Sequence, residues 1–132
     1  MNISKQVVIL SAELSTNTFE GNRQRTTTLE AMLQDIKLPF SKALGVYEGS
    51  EESSFVVVVK DELDIEVLRD FAFKNFGQES ILIQDANQEA YLLYQDGTTQ
   101  QLGRLVQVSK EVAQNNGNYT LVNDQYYTTR PR

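Results

Sequence analysis

Short runs of aliphatic and β-branched residues alternate along the chain with two longer stretches of helical periodicity. Residues 6–12 contain the continuous apolar run VVIL, and residues 54–60 read SFVVVVK. Runs apolar at every position suit strands buried on both faces. Between them, Leu29, Met32, Leu33 and Ile36 recur on one face of a helix, expected over residues 22–36. Two starts compete: Asn22 as N-cap, or Thr27 with Glu30 as a capping box. Leu38-Pro39 closes the helix, and residues 40–47 form a strand in which Gly45 marks a bulge. Glu48, Glu51 and Glu52 then read as a solvated hairpin tip. Residues 61–75 form a second helix that Gly77 stops, with Phe71, Phe73 and Phe76 as core. Strands follow at 80–84, 89–94 and 99–108, with Asp96-Gly97 as a hairpin turn. Ser109 caps a short helix, residues 119–122 add a strand, and residues 124–132 form a loose tail.

The order strand, helix, strand, hairpin, strand, helix, strand predicts an α+β fold with a ferredoxin-like β-α-β-β-α-β split core. A C-terminal β-meander extends it, all within one domain over residues 1–123. The two fully apolar runs would be its central pair. Their face away from the helices needs a cover, either the meander or a second copy in a homodimer.

Composition narrows the chemistry. With 132 residues and a net charge of −6 the chain is long enough for a core of its own, and acidic. An acidic chain repels phosphate backbones, so no direct nucleic-acid binding is expected, although DNA mimicry towards a protein stays open. The sequence holds neither histidine nor cysteine, which removes thiol nucleophiles, disulfides, Cys-ligated zinc and Ser-His-Asp triads. No metal or cofactor is expected. No segment reads as a signal peptide or membrane span, so the chain is expected in the cytoplasm.

Extending the first helix's inward stripe backwards brings up Asn22, Arg25 and Thr26, polar groups that need partners once buried. In the split topology Asn17, Asn22, Arg23 and Arg25 would face Glu52, Ser54 and Gln78 across a cleft. Arginine and a helix start suit an anionic group, and amides suit bidentate hydrogen bonds. The same residues could equally form an internal network in which Arg25 pairs with Glu52 and the amides tie down loops.

Several short motifs accompany these positions. They are Ser11-Ala12 at a strand end, Asn22 with Arg25 and Leu29, Gly45, Glu52-Ser53-Ser54-Phe55, and Phe76-Gly77-Gln78. On them the chain resembles a bacterial and phage domain family of unknown function, departing from its pattern at Asn17-Thr18 and Ser50-Glu51. The resemblance implies a shared polar cleft and no particular reaction. For a phage-type protein, a counter-defence factor binding a small anionic or nucleotide-like host molecule is the leading expectation. In a second reading it is an interaction or inhibitor module aimed at a host protein. The third is an enzyme with Glu52 as general acid or base.

Overall fold

The computed structural model describes residues 5–131. In chain order its elements are β1 (Val7–Ser11), α1 (Phe19–Ile36), β2 (Phe40–Tyr47), β3 (Ser50–Val58) and α2 (Glu62–Asp70). A π-helical turn (Phe71–Asn75) continues α2. Then come β4 (Ser80–Gln84), β5 (Ala90–Tyr94), β6 (Thr99–Val108), α3 (Lys110–Asn116), β7 (Asn118–Val122) and β8 (Gln125–Arg130).

The eight strands close into an antiparallel barrel in the order β1-β3-β2-β7-β8-β6-β5-β4. This overturns the expected α+β, ferredoxin-like split core with a meander beside it. In an open four-stranded core β2 and β4 would be edges, with unpaired backbone groups. Here β2 pairs with β7 through Leu44↔Leu121 and its neighbours, and β4 pairs with β5. The segment expected to be a loose tail supplies β8, which joins β7 to β6 and completes the closure.

Closure explains why β1 and β3 are apolar on both faces. Val8, Leu10, Phe55 and Val57 point outward into a core with Leu29 and Leu33 of α1 and Ile65 and Leu68 of α2. Their alternates Val7, Ile9 and Val56 point inward and meet Val122 and Tyr127 in the barrel interior. The later strands therefore provide the cover, and a second copy is not needed for it.

Helix α1 begins earlier than either expected start. Thr18 is the N-cap, its Oγ1 accepting the Gly21 amide at 3.0 Å, while Asn17 Oδ1 accepts the Thr18 amide at 2.8 Å. A Cβ at Gly21 would lie 2.5 Å from Asn17 Oδ1, so a larger residue there would displace the Asn17 side chain from this entry. Asn22 is thus a residue of the helix body. The β2–β3 hairpin is also tighter than expected. Only Glu48 and Gly49 form its turn, both at positive φ as a type I′ turn requires. Glu51 and Glu52 are consequently strand residues, and the register through Gly45 is regular, with no bulge there.

Candidate acidic cleft at the barrel mouth

Where β1 ends and β3 begins, the barrel opens into a cleft of about 850 Å³, a size typical of small-molecule sites. Its lower wall is apolar, with Ile9, Leu82, Leu92 and Leu105. Its rim is polar for a reason of register. Ser11 continues the inward face of Val7 and Ile9, and Ser54 and Glu52 continue that of Val56. Glu52, Gly45, Thr120 and Tyr127 lie side by side across four strands. Gly45 has no side chain, which leaves a gap between Glu52 and Thr120. A Cβ there would crowd Ser54 Oγ at 3.1 Å.

The segment after β1 closes one side of the mouth and is held residue by residue. The Gln78 side-chain amide donates to the Glu13 carbonyl at 2.8 Å. Asn22 exchanges two hydrogen bonds with the backbone of Leu14, each 2.9 Å. Arg25 Nε donates to the Ala12 carbonyl at 2.6 Å. Glu13 in turn reaches β3, its Oε2 accepting the Ser53 amide at 2.8 Å.

The electrostatics of the cleft have one sign. Glu13, Glu48, Glu51, Glu52 and Glu79 line it, and among the described residues no lysine or arginine does. The Glu52 carboxyl is accessible, yet the protein around it strips away enough water to push its pKa above the ordinary carboxylate value. The neighbouring charge of Glu13 pushes it the same way, and the Ser11 hydroxyl pulls it partly back.

Of the residues singled out in the sequence, Asn22, Glu52, Ser54 and Gln78 come together at this cleft. Asn17, Arg23 and Arg25 do not line it. Asn17 supports the helix entry, Arg23 is exposed, and Arg25 sits behind the rim, bonded to carbonyls rather than to Glu52. Asn22 and Gln78 spend their amides on the chain itself. Glu13, Gly45 and Thr120 escaped notice in the sequence as cleft residues. The available signal for Glu13 was its step of two from Ser11 and Ile9, which carries an acid to the end of an inward-facing row.

Among the described residues no group of three or more acidic side chains is arranged to hold a metal ion, and no helix is long and apolar enough to cross a membrane. Residues 8–130 match the family model described as the S-adenosylmethionine lyase family, and the chain belongs to that family. No curated protein matches the chain.

Proposed function

We propose, taking membership of the S-adenosylmethionine lyase family as the premise, that this protein cleaves S-adenosylmethionine at a carbon–sulfonium bond in the barrel mouth. Glu52 is the group that meets the substrate's positive charge. The observation behind this reading is a cleft lined by five glutamates and by no basic residue among those described. The substrate carries a sulfonium and an ammonium against one carboxylate, so it is a net cation. That replaces the anionic ligand expected from Arg25 with one of opposite charge. The apolar wall formed by Leu82, Leu92 and Leu105 suits the uncharged part of the molecule.

In such a cleavage the electron pair of the broken bond stays on sulfur, which leaves as a neutral thioether. Lyase chemistry consumes no water, so the carbon left behind is satisfied from its own fragment, by losing a proton or by bonding its own carboxylate. Among the described residues no lysine or arginine lines the cleft to pair with that carboxylate, which favours the second route. Glu13 holds the ammonium end and Glu52 faces the sulfonium, and the substrate's opposite charges annihilate as the bond breaks. Removing the cell's methyl donor in this way suits a phage-encoded counter-defence factor acting in the host cytoplasm.

Incubation of the purified protein with S-adenosylmethionine, followed by chromatography and mass spectrometry, tests the proposal. The expected result is thioether nucleoside in large molar excess over protein, with Glu52→Gln inactive. Tight stoichiometric binding without turnover would replace cleavage by sequestration. Full activity in Glu52→Gln would remove Glu52 from the mechanism.

A further inference from the structure

We infer that Arg25, which does not line the cleft, is a positioning residue that sets Glu13 against Glu52. The inference rests on the lyase reading of the mouth. Its guanidinium bonds two carbonyls from distant parts of the chain, Ala12 through Nε and Phe76 through Nη2, and lies 5.3 Å from the Phe76 ring centroid. Among the described residues Arg25 makes no ion pair, so its charge is directed at backbone. A planar fork with donors in fixed directions can join two carbonyls in one geometry, which a lysine cannot.

Both tethered segments lead into the cleft. The π-helical turn ends with the Phe76 amide bonded to the Phe71 carbonyl, a five-residue spacing often associated with functional sites. Two residues on, the Gln78 amide bonds Ala72, and its side chain takes the carbonyl of Glu13. With Asn22 on Leu14, the carbonyls of Ala12, Glu13 and Leu14 are each held by a different side chain. Arg25 is the member that ties this segment to the π-helical turn and α1 at once. The outcome is a fixed Glu13 carboxylate on the Ser53 amide, one residue from Glu52.

The test compares wild type with Arg25→Lys in kcat and KM across pH, melting temperature, and hydrogen exchange at the Ser53 amide. Among the described residues the charged groups lining the cleft with Glu52 are Glu13 after β1, Glu48 and Glu51 on the hairpin, and Glu79 before β4, and the titratable Tyr47, Tyr119 and Tyr127 line it too. Arg25→Lys is expected to lower kcat roughly tenfold to a hundredfold, with a smaller change in KM and a melting point within about 5 °C of wild type. The acidic limb of its pH profile should move to lower pH, because a released Glu13 no longer raises Glu52, and the Ser53 amide should exchange faster. An unchanged limb together with unchanged Ser53 exchange would overturn the inference. So would a loss of kcat that merely follows the loss of folded protein. If Arg25→Lys does not fold, Phe76→Leu keeps the carbonyl but removes the ring stack, and should give the same shifts at smaller size; no shift there would also overturn it. A wild-type protein without lyase activity would fail the lyase reading, and the Ser53 exchange would still decide whether the clamp exists.

Discussion

Strands β1 and β3 have two faces that do different work. Outward, Val8, Leu10, Phe55 and Val57 interlock with α1 and α2 in the largest apolar cluster. Inward, the same strands carry Val7, Ile9 and Val56 only part of the way, then change to Ser11, Ser54 and Glu52 at the mouth. Phe55 and Glu52 are three residues apart, yet one is almost fully enclosed and the other accessible in an acidic cleft. Most of the apolar packing and the acidic cleft lie on opposite sides of one sheet, which lets the inner face hold unfavourable charge close together.

Substitutions on the two faces should therefore fail differently. Phe55→Ala is expected to cost about 3–5 kcal/mol, read by chemical denaturation, while the folded fraction keeps its activity. Glu52→Gln should lower kcat at least roughly 100-fold, equivalent to about 2.7 kcal/mol, with no loss of melting temperature. Gly45→Val, which fills the gap beside Glu52, should raise KM and cost about 1–3 kcal/mol by overpacking, read by kinetics and melting together. Thr18→Ala removes the α1 cap and should cost about 1 kcal/mol with little effect on KM. If Phe55→Ala and Glu52→Gln changed stability and activity in parallel, the separation of faces would be false.

The raised pKa of Glu52 sets opposite trends for stability and turnover. Between the ordinary carboxylate pKa and the raised one, the folded state keeps a proton that the unfolded state has lost. Glu52's contribution to stability is thus present at low pH and lost as pH rises through that window. On the proposed reading cleavage needs the ionised carboxylate, so activity should rise over the same window. Thermal melts and kcat measured across pH check both slopes, and Glu52→Gln should flatten the Glu52 part of the stability curve.

Much of the outer face was legible in the sequence. The apolar runs at 7–10 and 55–59 are indeed neighbouring strands, paired Leu10↔Phe55 and Val7↔Val58, because complete apolarity is a local signal. Ser109 caps α3 for a similarly local reason, its hydroxyl accepting the Val112 amide at 3.2 Å. Barrel closure was not legible. It depends on Leu44 meeting Leu121 and on β8 bridging β7 to β6, and those strands lack the unbroken apolar runs of β1 and β3. The start of α1 was hidden because Asn22, a good cap by type, is occupied by Leu14 eight residues earlier. The candidate cleft was legible in part: Glu52, Ser54 and Gln78 share it, while Arg25 suggested an anionic ligand although its guanidinium is directed at carbonyls.

The central claim is that the mouth selects a cation. It is tested most directly by titration calorimetry with two uncleavable ligands of nearly equal shape. One is S-adenosylhomocysteine, a neutral thioether at sulfur; the other is the analogue in which a carbon bearing an ammonium replaces the sulfonium. The cationic analogue is expected to bind at least about tenfold tighter, a difference of ~1.4 kcal/mol, with the preference reduced in Glu52→Gln. Equal affinity for the two ligands, or a preference that survives Glu52→Gln unchanged, would contradict it.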